Sequence, residues 1–304
     1  MIEAQNLTKL FDGYAALDQV SCTIPDGCIY GMVGSNGAGK STFLRVLTGI
    51  YKADGGCVTI DGQSTWENPA LKQQMMFVPD ELYFLPAANL LRMKDFYKNL
   101  FPTFDEQRFH QLVEAFGLPA KKPIGTFSKG MKRQAAILLA LSARPRILLF
   151  DETFDGLDPM MRKLVKSLIC NDVAERNATA IITSHSLREL EDTCDRLVLL
   201  HKGDVVLQSE VTDLKTGVSK VQAAFGYEYS IKLFDDLDLV SFSKSGSVAN
   251  IIVRGEREEI QSKILAKNPL LYEVLPMTLE EVFLYEMTAM GYDFSQVLEE
   301  LSHD

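Results

Sequence analysis

The sequence predicts an α/β fold over residues 1–210 and a small α+β domain over 211–304, and three observations carry that division. Short apolar runs at 28–33, 147–151, 178–182 and 196–200 are separated by stretches of helical spacing, the rhythm of a parallel sheet covered on both faces. Between the first run and the helical spacing of 42–47 stands GSNGAGKS (34–41), a glycine-rich turn joining strand to helix. Past about residue 210 no motif of the first part recurs.

The elements follow in order. Residues 2–11 and 20–24 cluster apolar residues around Asp12 and Gly13 and end at Pro25, Asp26 and Gly27, which suggests antiparallel strands. A turn at 53–56 precedes a strand at 57–60, and 75–78 reads as another buried strand. From about 80 to 125 the spacing becomes helical, a helical insertion carrying Leu90, Met93, Phe109 and Leu112. A helix is expected from Lys129 to about 141, and a turn at 201–204 leads into an edge strand at 205–207. Beyond it, strands are expected at 229–234, 248–253 and 271–275, with helices at 256–267 and 278–290, the last placing Leu279, Val282, Phe283 and Glu286 on one face.

With 304 residues the chain can bury a full core. No apolar run approaches the roughly 18–20 residues that span a bilayer, and the start lacks a basic segment followed by an apolar one. The expected place is the cytosol, or the inner face of a membrane through a partner. Five cysteines without a C-x-x-C pair read as reduced and mostly buried, and four scattered histidines suggest no metal site. Net charge is −10, of which −8 falls in 211–304, a balance that argues against direct nucleic-acid binding.

The chemistry starts at the glycine-rich turn, which fits G-x-x-x-x-G-K-[ST] without a mismatch. Gly34, Ser35, Asn36, Gly37, Ala38 and Gly39 let successive N–H groups point at an anion, and the helix opened by Lys40, Ser41 and Thr42 adds its positive end. Lys40 can reach β- and γ-phosphates, and Ser41 offers a hydroxyl to Mg²⁺. The apolar run at 147–150 leads into Asp151 and Glu152: the first suits the metal, the second the polarisation of an attacking water. Ser128 opens the preceding helix as an N-cap, or else, with the N–H groups near Gly130, forms a second anion site. One chain then has two such sites for one nucleotide, so the second serves a nucleotide on another copy.

Taken together, GSNGAGKS (34–41), FSKGM (127–131), ILLFDE (147–152), DGLD (155–158) and TSH (183–185), in this order, resemble the ATP-binding cassette (ABC) family over about residues 2–208. The resemblance implies an ATPase with ATP and Mg²⁺, in which two subunits, alike or different, pack head to tail. Each ATP would lie between one chain's phosphate loop and the other's Ser128, Lys129 and Gly130. It further implies that Asp158 lies at the dimer seam, that His185 contacts the γ-phosphate, and that Phe11 stacks on adenine. Three departures from the family pattern stand out. Asp80 stands where Gln is usual, and would hold Mg²⁺ through water but cannot donate an amide hydrogen bond. Phe127, Lys129 and Met131 replace the commonest signature residues. Thr153 and Phe154 replace a Pro-Thr pair.

Residues 276–284, PMTLEEVFL, are similar to the ending of ATPase subunits that serve ABC-2-type exporters. This implies the motor of a membrane exporter, acting on a separate transmembrane permease subunit, with Tyr83 in the helical insertion as a candidate contact. The alternative is a soluble switch ATPase of the same superfamily, acting on ribosomes or DNA; an ATP-gated sensor is a third reading, which Glu152 and His185 disfavour.

Overall fold

The structure, a computed structural model, describes residues 1–289. Two compact units divide the chain, the first covering Met1–Gln208 and the second running from Ser209 onward.

In the first unit, β1 (Ile2–Phe11) and β2 (Tyr14–Ile24) pair antiparallel about Asp12 and Gly13, with Ile2 opposite Ile24 and Phe11 opposite Tyr14. β3 (Ile29–Val33) is buried along its whole length and feeds the glycine-rich turn, after which α1 (Lys40–Leu47) turns Phe43, Leu44 and Leu47 into the core. β4 (Gly55–Ile60) and the short β5 (Gln63–Ser64) complete an antiparallel sheet in the order β2-β1-β4-β5. The strand thus begins at Gly55, inside the stretch expected to turn.

A short α2 (Pro69–Lys72), capped by Asn68, leads to β6 (Met75–Val78). The insertion contains α3 (Leu90–Leu100) and α4 (Glu106–Ala115), whose caps Asn89 and Asp105 each accept a backbone N–H in the first turn. After a 3₁₀ turn at Ile124–Thr126 comes α5 (Lys129–Ala143), then β7 (Ile147–Asp151), α6 (Pro159–Arg176), β8 (Thr179–Ser184), α7 (Leu187–Glu191), β9 (Arg196–His201) and β10 (Asp204–Glu210).

The second sheet has the order β10-β9-β3-β8-β7-β6, with parallel pairing from β9 through β6. Its register aligns Val33 with Ser184 and Thr183 with Asp151. The carboxyl ends of β3, β8 and β7 therefore finish side by side, the edge at which α/β sheets bind ligands.

The helical insertion is tied to α6 by charge. Asp172, 1% exposed, accepts from Arg108 of α4 on one carboxylate oxygen and from Arg176 on the other at 2.9 Å.

In the second unit, α8 (Val211–Thr216) precedes β11 (Val218–Ala224), and a 3₁₀ turn at Ile231–Phe234 precedes β12 (Asp238–Ser245) and β13 (Val248–Arg254). α9 (Arg257–Leu265), β14 (Leu271–Leu275) and α10 (Leu279–Ala289) follow. The antiparallel sheet runs β12-β13-β11-β14, and its core joins Val221, Phe225, Ile251 and Val253 to Ile260 and Ile264 of α9. The strand expected at 229–234 is corrected here: Phe234 is buried as the end of a 3₁₀ turn, and the sheet uses β11 and β12 instead. The last helix opens with a capping box, in which Thr278 Oγ1 accepts from Glu281 N at 3.2 Å and Glu281 Oε2 accepts from Thr278 N at 3.0 Å. Its expected end at Met290, like the rest of the acidic tail, lies outside the described residues, and the side chain of Glu286 is not described.

Removing the Asp172 carboxylate leaves two half-buried guanidinium groups facing each other. Asp172→Ala is expected to lower urea-measured stability by about 3 kcal/mol, whereas Asp95→Ala, at a largely exposed position beside Lys94, should change it by less than about 0.5 kcal/mol.

Candidate functional site

The site is assembled where β3, β8 and β7 end. Gly39, which caps α1, has φ +105°, and a Cβ there would come within 2.5 Å of the Ala16 carbonyl, so only glycine lets the turn enter the helix this close to β2. Ala38 N donates to Ser35 O at 3.1 Å and Gly203 N donates to Ala38 O at 3.1 Å, fixing the turn against the β9–β10 connection. The first-turn N–H groups of α1 have no partner within the helix and point out of its positive end.

Lys40 is 5% exposed, and its ammonium donates to Gly34 O at 2.6 Å and Ser35 O at 3.2 Å. Its third partner is Glu152 Oε1, at 3.1 Å. The other oxygen, Oε2, lies 3.0 Å from His185 Nδ1. A carboxylate only accepts, so Nδ1 carries the proton and donates, leaving Nε2 on the far edge of the ring. Glu152 also adopts φ +47°, in the left-handed region that a residue with a Cβ enters at a cost.

Asp151 is fully buried, one residue earlier. Its Oδ1 accepts from Ser41 Oγ at 2.9 Å and from Thr183 Oγ1 at 2.8 Å, while Thr183 Oγ1 accepts in turn from Glu152 N at 3.0 Å. Its Oδ2 is buried with no hydrogen-bond partner among the described residues. Burial raises the Asp151 pKa, opposed by the hydrogen bonds from Thr183 and Ser41. A shielded carboxylate with an orphaned oxygen beside a serine hydroxyl fits a hard divalent cation, so Ser41 and Asp151 form a donor set suited to Mg²⁺.

The structure therefore brings Lys40, Ser41, Asp151, Glu152 and His185 together. It adds two residues that had no separate role in the sequence motifs. Thr183 bridges Asp151 to the Glu152 backbone. Asp155 offers a carboxylate within 4.8 Å of ligand atoms of Glu152 and His185, with its pKa raised by burial and eased by His185. Asp155 is in reach because a turn returns its N–H to Glu152 O at 3.3 Å, a geometry no spacing rule announced.

Asp80 Oδ1 accepts from Arg133 Nη2 at 2.6 Å, so one oxygen of the carboxylate expected to serve the metal through water is engaged by a guanidinium. Ser128 and Asp158 both act as caps, accepting from Met131 N at 3.2 Å and Met161 N at 3.0 Å, and both are exposed, as is Lys129. Gly130 lies so near the following loop that a Cβ would meet Gly156 O at 2.9 Å. Phe11, at the tip of the β1–β2 hairpin, packs edge-on to Tyr51 with centroids 5.3 Å apart and keeps an exposed face. Thr153 and Phe154 are buried, with Lys166 Nζ 5.4 Å over the Phe154 ring.

The profile of a family described as "ABC transporter" matches residues 17–155. The chain is 31% identical to the ABC transporter ATP-binding protein YtrB of Bacillus subtilis over 93% of this chain and 97% of that protein. It is 32% identical to the bacitracin transport ATP-binding protein BcrA of Bacillus licheniformis, over 71% of both. Among solved structures, the ATP-binding subunit of an ABC transporter superposes with a TM-score of 0.65 at 24% identity, covering 71% of this chain and 92% of that one, a likeness of fold.

Because burial raises the Asp151 pKa, the native state holds that proton more tightly than the unfolded chain. Stability contributed below the ordinary carboxylate pKa is lost as pH rises through the higher folded value, so the ionised group is a net burden at neutral pH. Asp151→Asn is expected to keep or raise the melting temperature of the nucleotide-free protein while removing most of the Mg²⁺ dependence of nucleotide binding. A clear fall in melting temperature would make Asp151 a structural residue.

Proposed function

The chain belongs to the ABC transporter ATP-binding family, and on that premise we propose that it is the ATP-hydrolysing subunit of an exporter whose membrane-spanning permease is a separate chain. The observation that carries the catalytic part is Glu152 held between Lys40 and His185 at the end of β7. The reaction is ATP + H₂O to ADP and phosphate: the water oxygen bonds to the γ-phosphorus, the bond to the ADP oxygen breaks, and the water gives up a proton.

The geometry supports a division of labour. The N–H groups from Gly34 through Thr42 and the ammonium of Lys40 cradle the phosphates. Arrival of phosphate oxygens competes for Lys40, and the ammonium that leaves Glu152 frees Oε1 to accept a hydrogen bond from the attacking water. His185, fixed by Nδ1, would offer Nε2 to the γ-phosphate. Mg²⁺, held by Ser41 and Asp151, would offset charge on the β- and γ-phosphates. Phe11 offers an exposed aromatic face for adenine.

Ser128, Lys129, Gly130 and Asp158 belong, in this reading, to the nucleotide of a second ATP-binding subunit. Their exposure supports it, because caps at exposed helix starts leave N–H groups and a dipole free for a partner's phosphate. ATP would close the pair, and hydrolysis would open it. The export direction rests on the resemblance of residues 276–284 to the ending of ABC-2-type exporter subunits, with likeness to a bacitracin transport protein beside it. No helix among the described residues is long and apolar enough to cross a membrane, so spans would come from the permease, which would hold this subunit at the inner face of the membrane. Tyr83, 78% exposed between β6 and α3, is an anchor of the kind interfaces bury.

Glu152→Gln keeps the shape and removes the charge. Hydrolysis is expected to fall by about 100-fold or more, and light scattering with MgATP should show a trapped dimer; a mutant that stays monomeric would count against dimer closure. Purification from solubilised membranes of the native host should bring a polytopic membrane protein in stoichiometric amount, and recovery without one would argue against the transporter role.

A further inference from the structure

Arg133 stands one turn after Gly130 in α5, and it is 1% exposed. Its Nη1 donates to Pro79 O at 3.0 Å, its Nη2 donates to Asp80 Oδ1 at 2.6 Å, and its Nε is buried without a hydrogen-bond partner among the described residues. A guanidinium does not lose its proton in a protein, so the charge must be balanced where it sits. Asp80, with its own side chain 51% exposed, is the carboxylate that balances it. Both contacts come from the two residues that follow β6, and α5 packs on β6. At the other end of this arrangement is Gly130, where a Cβ would meet Gly156 O at 2.9 Å, so the first turn of the helix passes close to the backbone of the loop after β7.

We propose that Asp80 is a positioning residue: by neutralising Arg133 it fixes the first turns of α5, and with them Ser128 to Gly130, relative to the end of β6, and it does not bind the metal. This rests on the reading of Ser128 to Gly130 as a contact to a second subunit's nucleotide. The interaction works through charge, which separates it from an amide at the same position. An amide could accept one hydrogen bond from Arg133 but would remove the carboxylate in contact with its guanidinium, leaving only the more distant Asp155 to offset a buried charge. Removing the guanidinium as well should therefore repair the loss, because an apolar side chain of similar length needs no counter-charge.

The test uses full-length protein and two readouts. Hydrogen exchange in the nucleotide-free chain should show the amides of residues 130–134 exchanging about tenfold faster in Asp80→Ala, and returning to the parent rate in Asp80→Ala/Arg133→Met, with Asp80→Asn close to Asp80→Ala. In the Glu152→Gln background, sedimentation with MgATP should show the dimer dissociation constant raised tenfold or more by Asp80→Ala and restored by the double variant. Monomer affinity for ATP and the Mg²⁺ concentration it requires should stay within about twofold. Unchanged exchange, no rescue, or a raised Mg²⁺ requirement would overturn the proposal, the last by returning Asp80 to the metal. A Glu152→Gln parent that remains monomeric would instead sink the dimer reading, and the exchange experiment would still decide the role of Asp80.

Discussion

The ion pair between Lys40 and Glu152 is the contact on which the rest of the site depends. The two side chains, 5% and 13% exposed, come from the turn after β3 and from the end of β7, strands separated in the sheet only by β8. Each charge in so enclosed a place requires a counter-charge. The phosphate-binding cation and the water-polarising anion meet that requirement for each other. Substrate binding is then an exchange of ion partners, which links occupancy of the cradle to release of the base. The supporting geometry serves this pair: Gly39 brings the helix start close to β2, Thr183 holds the Glu152 backbone, and His185 takes the second carboxylate oxygen.

Much of the fold was legible because its signals are local. Runs such as 147–150, buried on both faces, have no competing interpretation once a turn and a helical stretch bound them. The phosphate cradle was legible for the same reason, since its chemistry is contiguous. What escaped was set by contacts between distant residues. β11 buries Ser219, Val221 and Ala223 on one face and turns Lys220 and Gln222 to the other, and small or polar residues hid a strand whose inner face joins the core with Ile260 and Ile264 of α9. The apolar density of 229–234 suggested a strand, yet Phe234 reaches the same core from a 3₁₀ turn. Asp80 could be offered to a metal by position alone, because nothing in its neighbourhood of the chain signals Arg133, 53 residues away.

The two units show different ways of stabilising an insertion. The first attaches its extra helices by burying charge, with Asp172 gathering Arg108 and Arg176. The second depends on an apolar sheet face covered by α9, and its last helix is started by a reciprocal cap and joined to β11 by Lys220 and Glu281 at 2.8 Å. The capping-box residues Thr278 and Glu281 lie within the stretch that resembles exporter subunits, so that resemblance has a structural content of its own: it specifies where a helix begins.

Glu152 occupies the left-handed region, where a glutamate is less comfortable than glycine or asparagine by about 1 kcal/mol. Function at this position is thus maintained against a thermodynamic slope. A duplicated copy whose partner alone carries out hydrolysis would be released from the catalytic demand, but replacement of residue 152 by glycine or asparagine would leave the enclosed Lys40 ammonium without its counter-charge, a larger cost than the backbone angle. Backbone angle and ion pair thus pull residue 152 in opposite directions, and an inert copy would keep an anion beside Lys40 rather than drift to glycine.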